Sequence, residues 1–176
     1  SAERANEMAV RLAALSVEGV ADVVIRPLTR GIGTYDLIVI PVEGIANDSL
    51  VNSVQSAVDL VTAVGIKGTV IKPTIVPVNI EVRIIFADNT TDFQKSQIRA
   101  SVQTSIETYL VNIPMGADFI LNEMRQQIMD VSPQIKDHII NCFYFRQEPT
   151  IVGNVSIYWD EVFYPDPSLS DAIRVT

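Results

Sequence analysis

One cysteine, one histidine and one tryptophan occur in 176 residues. Each scarcity removes a class of function. The single thiol, Cys142, cannot form a disulfide within the chain and suits a protein made in a reducing compartment. With His138 as the sole imidazole, the multi-His and Cys-rich ligand sets of ordinary zinc sites cannot be assembled. A membrane helix needs roughly 20 consecutive apolar residues, and charge or proline interrupts every longer apolar run here. Basic residues are also in deficit, 13 Lys and Arg against 21 Asp and Glu, and they are dispersed. That balance argues against nucleic-acid partners, because phosphate binding needs concentrated positive charge. Gly/Ser linkers and low-complexity tracts are missing too, so any domain boundary must be tight.

What is there is apolar content of 48%, enough to bury a sizeable core and to predict a globular, soluble chain. The first residue is Ser rather than Met and no signal-peptide pattern follows, which reads as a fragment lacking its natural N-terminal neighbour.

Periodicity supplies the elements. Ala5, Met8, Ala9, Leu12 and Leu15 share one face of an expected amphipathic helix, stopped by Gly19. Two strands over residues 20–28 and 35–42 flank a turn at Gly31 and Gly33. The second contains Leu37-Ile38-Val39-Ile40, apolar on both faces, which suits a central strand. Leu50, Val51, Val54, Ala57, Val58 and Val61 mark a helix capped by Asn47 or Asp48, and Gly65 and Gly68 release the chain into a new strand. Val78, Ile80, Val82, Ile84 and Phe86 alternate with Asn79, Glu81, Arg83 and Ile85, the clearest period of two in the sequence. Thr91 and Gln94 form a capping box for a helix carrying Ile98, Val102, Ile106, Tyr109 and Leu110. A further helix is expected near Asn122, with Met124, Ile128 and Val131 on one face and Pro133 as its stop. Strands over residues 139–145 and 155–159 follow, then an extended tail over residues 160–176.

Residues 53–59 and 101–107 repeat one pattern, each within a helix after an apolar strand. Together these features predict an α+β fold of two small layered units, residues 1–76 and 77–176, with helices on one face of mostly antiparallel sheets. A ferredoxin-like arrangement is the nearest common fold. A doubly wound parallel sheet ranks second, because the adjacent strands around Gly31 and Gly33 oppose it.

Chemistry is hard to place on this chain. Gly31-Ile32-Gly33 sits between strands and lacks the third glycine of a dinucleotide fingerprint, so its ordinary meaning is a turn. Gly65-Ile66-Lys67-Gly68 follows a helix and precedes a strand, the reverse of a phosphate cradle. His138 and Cys142 fall on one face of an expected strand, roughly 13 Å apart, too far for a nucleophile pair. Asp160 and Glu161 point to opposite sides of an extended chain and do not converge on a substrate. Asp36, Asp88 and Asp92 have turn and helix-start explanations. No catalytic, cofactor-binding or metal-binding residue is therefore assigned. Large rings cluster late, at Phe143, Tyr144, Phe145, Tyr158, Trp159, Phe163 and Tyr164. Core packing is their usual meaning and an anchor surface the sharper one.

Glu18-Gly19-Val20-Ala21-Asp22-Val23, Arg30-Gly31-Ile32-Gly33-Thr34-Tyr35-Asp36 and the strand after it stand in an order similar to the baseplate J-like family of contractile-tailed bacteriophages. Lys72-Pro73-Thr74-Ile75-Val76-Pro77-Val78, Ile113-Pro114-Met115-Gly116 and Trp159-Asp160-Glu161-Val162 continue the resemblance, which spans nearly the whole chain. Residues 131–137 depart from it, lacking the usual Gly-Val before the next strand. The resemblance implies a non-enzymatic virion component of the tail baseplate, assembled in the host cytoplasm. Its partners are then other wedge subunits and itself, with no cofactor, nucleic acid or membrane. Tyr158, Trp159, Asp160, Glu161, Phe163 and Tyr164 form the candidate partner interface. Two rivals remain: a small-molecule-binding regulatory module on a ferredoxin-like fold, and a hydrolase using Asp160 or Glu161.

Overall fold

A computed structural model describes residues 2–176, with side chains from residue 6 onward. The chain divides into two compact units, Ser1–Pro73 and Thr74–Thr176. The boundary expected after Val76 thus falls inside a strand that begins at Thr74.

The first unit runs α1 (Ala2–Leu15), β1 (Val20–Pro27), β2 (Thr34–Pro41), α2 (Asp48–Asp59) and β3 (Lys67–Ile71). β2 is central, antiparallel to β1 and parallel to β3, which explains its doubly apolar sequence: Leu37, Ile38 and Val39 are all fully buried. Asn47 caps α2 by accepting from Leu50 N–H. The core gathers Val10 and Ala14 of α1, Val54 and Val58 of α2, and Tyr35, Leu37 and Val39 of β2. α1 is helical as expected, yet it turns a different face inward. Val10 and Ala14 are buried, whereas Met8, Leu12 and Leu15 are exposed; the Ala5 side chain lies outside the described residues.

The second unit runs β4 (Thr74–Phe86), α3 (Asp92–Asn112), α4 (Leu121–Asp130), β5 (Ile135–Phe145), β6 (Glu148–Pro149), β7 (Glu161–Pro165) and β8 (Ile173–Val175). β4 forms the spine, antiparallel to β5 on one edge and parallel to β7 and then β8 on the other. Its alternating sequence becomes alternating burial, with Val76, Val78, Ile80, Val82 and Ile84 under α3 and α4. Both bonds of the Thr91/Gln94 capping box form, and α3 buries Ile98, Val102, Ile106 and Leu110. At the centre of the core, the Phe119 ring meets those of Tyr109, Phe143, Phe145 and Phe163, mostly edge to face.

The α+β layered class is the one expected, with mixed sheets of three and five strands. The element order β-α-β-β-α-β of a complete ferredoxin-like unit occurs in neither half. The repeated helices share a detail below topology: Gln55 donates to Asp59 and Gln103 to Glu107 one turn on. Around them the chain differs, since β2-α2-β3 is a parallel crossover and β4-α3-α4-β5 an antiparallel return.

Two expectations need correction. Residues 155–159 form no strand, only the single bridge between Val155 and Phe119. Residues 160–176 are no loose tail: they supply β7 and β8, and Phe163, Ala172 and Ile173 are buried there. Both strands complete a free edge of β4, a long-range pairing that local patterning does not encode.

Candidate interaction surface

The residues singled out by sequence lie where the β5–β6 hairpin meets the loop leading into β7. The hairpin turns at Arg146 and Gln147, whose φ values of 58° and 63° are both left-handed. Tight hairpins require that geometry, and Gly or Asn normally supplies it. Here the contacts of the two side chains stabilise it instead. Arg146 N–H donates to Pro77 O at 2.9 Å, its guanidinium nitrogens reach the Glu161 carboxylate at 2.5 and 2.7 Å, and Gln147 donates to Asp166 at 3.4 Å.

Glu161 is 4% exposed and also accepts from Tyr158 N–H at 2.8 Å. The Arg146 guanidinium, followed by that backbone donor, holds its pKa below the usual carboxylate range, while Glu161 in turn raises that of Arg146. Asp166, equally buried, accepts from Ser168 Oγ at 2.7 Å and Ser168 N–H at 2.9 Å, and its pKa is lowered by those bonds.

These anchors fix the backbone beneath two exposed rings. Thr74 N–H donates to Asp160 O and Gly116 N–H to Glu161 O, so the chain is clamped immediately after Trp159. Val155 and Phe119 exchange backbone bonds, and Asn154 Oδ1 caps the otherwise uncapped first turn of α4 at Leu121 N–H. On this frame Tyr158 is 73% and Trp159 45% exposed. Both rings are exposed because the segment is a loop rather than a strand that would turn one of them to each face.

Of the six residues proposed as a partner interface, the structure therefore places Tyr158 and Trp159 on the surface and Asp160 and Tyr164 half-buried. Glu161 and Phe163 are inside: the first is saturated by Arg146 and Tyr158, and the second packs against Phe119 and Phe145. Neither has surface to offer a partner. Sequence reasoning missed Arg146, which makes the buried pair, and it missed a cluster of exposed aliphatic side chains in the first unit, at Leu28, Ile32, Leu60 and Val64. Ile32 lies in a Gly-rich turn, which was the available signal.

Catalytic arrangements fare poorly on geometry. Glu161 accepts three hydrogen bonds inside the protein and its pKa is lowered, the opposite of the raised pKa that suits a general acid. His138 pairs across the ladder with Ile84 and Cys142 with Glu81. The bulge between those pairs puts the two on opposite faces rather than the single face expected. No group of three or more His, Cys, Asp or Glu is arranged to hold a metal ion among the described residues. One depression, open to solvent, is lined by Tyr109, Pro114, Asp118 and Glu123, where the Tyr109 hydroxyl is committed to Ile120 and Glu123.

No protein-family model matches the chain, and no curated protein matches it. A solved structure does. A chain of the anti-feeding prophage (AFP) baseplate, determined by cryo-EM and 6-fold symmetrised, aligns over 89% of this chain with a TM-score of 0.60 and 14% identity. This chain spans 36% of that chain's length. The likeness shows a fold shared with a component of a prophage baseplate.

Proposed function

We propose that the chain is a structural, non-catalytic module of a contractile-tail baseplate, of baseplate J-like type, which joins wedge subunits by protein contacts within the particle. The observation that carries this reading is the fold likeness to the AFP baseplate chain across 89% of the present one. The ordered motif resemblance of the sequence supports it independently, because it was drawn from residues rather than from backbone shape. A further support is the fixed presentation of Tyr158 and Trp159, rings of the kind that anchor protein interfaces. Its partners on this reading are other wedge subunits and further copies of itself; nucleic acid, membrane and cofactor play no part, and assembly takes place in the host cytoplasm. The test is to express the tagged chain, in its full-length context, during particle assembly and purify intact tails. The reading expects the tag in stoichiometric amount at the baseplate end, as seen by immuno-electron microscopy; tails that form normally without it refute the reading.

A further inference from the structure

The sheet of the first unit ends in β1 on one side and β3 on the other, and among the described residues no further strand covers either. An open edge presents unpaired N–H and C=O groups and invites another chain to pair with them. β1 is interrupted by a bulge between Val20 and Asp22, the Asp22 carboxylate takes the N–H of Val23, and Pro27 ends the strand. β3 has neither bulge nor proline, and its one charge, Lys67, stands at its first position.

The alternation of β3 fixes which of its backbone groups face outward. Lys67 N–H donates to Gly33 O at 2.8 Å, toward β2, so Gly68 and Val70 direct theirs to the open side. The Gln55 side chain of α2 lies there. Its Nε2 donates to Gly68 O at 3.1 Å and its Oε1 accepts from Val70 N–H at 2.8 Å. That carbonyl and that N–H are the pair a single residue of an added parallel strand would bind through its own N–H and C=O, and a carboxamide carries the same donor and acceptor. A second donation, from Nε2 to Asp59 Oδ1 at 2.8 Å one turn along α2, steadies the group. Gln103, its counterpart on α3, makes the matching bond to Glu107 and none to a strand among the described residues, so the bond within the helix does not by itself produce the edge contact. The face of β3 is covered at the same point, since a Cβ on Gly68 would collide with the Tyr35 ring.

We propose that Gln55 is an edge guard: its carboxamide stands in for an added strand at Gly68 and Val70 and holds the β3 edge closed against strand addition by another chain. The baseplate reading concerns contacts that form, whereas this is a contact kept from forming, and it stands on the geometry of the first unit alone.

Amide hydrogen exchange at Val70, together with sedimentation velocity from about 10 μM to about 1 mM, a range that populates weak pairing, tests it. Gln55→Ala and Gln55→Met both place good helix formers on α2 and remove the carboxamide, and Met nearly keeps its length. In dilute solution Val70 N–H should exchange about tenfold faster in either variant than in wild type, the effect of losing one net hydrogen bond. As concentration rises, both variants should sediment faster than the wild type, and Val70 should regain protection in step, because the opened edge pairs with that of a second copy. Four results would each overturn the proposal: wild-type Val70 exchanging as fast as in the variants; variants no more associated than wild type; association that leaves Val70 unprotected; or association of the Ala variant alone, which would trace the effect to lost volume. Failure of the chain to enter particles would refute the baseplate role and leave these results unchanged.

Discussion

Arg146 and Glu161 lie 15 positions apart in the chain and meet through two parallel charge-assisted hydrogen bonds, one from each terminal guanidinium nitrogen to each carboxylate oxygen. The pair joins the hairpin tip to the start of β7, and Glu161 brings Tyr158 with it through a third bond. Removing the cation leaves a buried carboxylate with one backbone donor. A fully buried pair loses about 3–5 kcal/mol when one partner is deleted; the arginine is 47% exposed, so water takes over part of its role. Arg146→Ala is therefore expected to cost about 2 kcal/mol in urea denaturation. Arg146→Lys should recover only part of this, because an ammonium cannot make the two-pronged contact. Equal stability of wild type and Arg146→Ala would remove the ion pair from any account of the fold.

The same network sets the acid limit. Glu161 and Asp166 both have pKa values lowered from their ordinary 4.5 and 3.8. Between its folded and unfolded pKa, such a carboxyl binds a proton in the unfolded chain only, so their stabilisation is complete above about 4.5 and is lost as pH falls through the lowered folded values. Melting temperature should therefore drop steeply below pH 4.5. In Glu161→Gln the drop should be shallower, and a drop as steep as in the wild type would locate the acid sensitivity elsewhere.

His138 governs a different window. Burial and then the Arg125 charge on α4 lower its pKa from 6.5, with the adjacent Asp137 opposing them, and its Nδ1 is buried without a hydrogen-bond partner among the described residues. The unfolded chain takes up this proton first, so stability is complete above pH 6.5, falls as pH drops through it, and levels off below the lowered folded value. Proton NMR titration should place the imidazole below 6.5, and His138→Gln should flatten the melting curve between pH 6.5 and the onset of carboxylate protonation. An imidazole titrating at or above its ordinary value contradicts this.

The contrast between what sequence predicted well and what it did not follows the range of the interactions. The α3 capping box was visible because Thr91 and Gln94 satisfy each other within one turn, and β4 because a strand half covered by helices must alternate. The α1 helix was visible while its inward face was not: periodicity marks apolar positions, but close packing selected Val10 and Ala14 over the larger Met8, Leu12 and Leu15. Residues 155–159 have strand composition, yet only Val155 finds a partner. The prolines at 165 and 167 read as a tail because they break local patterns; Pro165 nonetheless closes β7 in register with Val78. Long-range choices of this kind decided the site. Glu161 looked like surface acid beside Asp160, and nothing near it in sequence pointed to Arg146.

Gly116 offers the sharpest test of how the exposed rings are held. Its φ is 78°, a region that side-chain-bearing residues rarely occupy, and a Cβ there would lie 3.0 Å from both Cα and O of Trp159. These are backbone atoms of a segment clamped through Asp160 and Glu161, so they cannot swing aside as a side chain tip would. Gly116→Ala must therefore strain its own backbone or push the Trp159 segment outward, breaking the bond from Gly116 N–H to Glu161 O. The expected cost is about 1–3 kcal/mol. Because Trp159 is the sole tryptophan, its fluorescence reports the displacement directly. The variant should emit at longer wavelength and be quenched more readily by iodide than the wild type. Unaltered emission with unaltered stability would mean that the loop yields freely at this point, and that Tyr158 and Trp159 are not presented on a fixed frame.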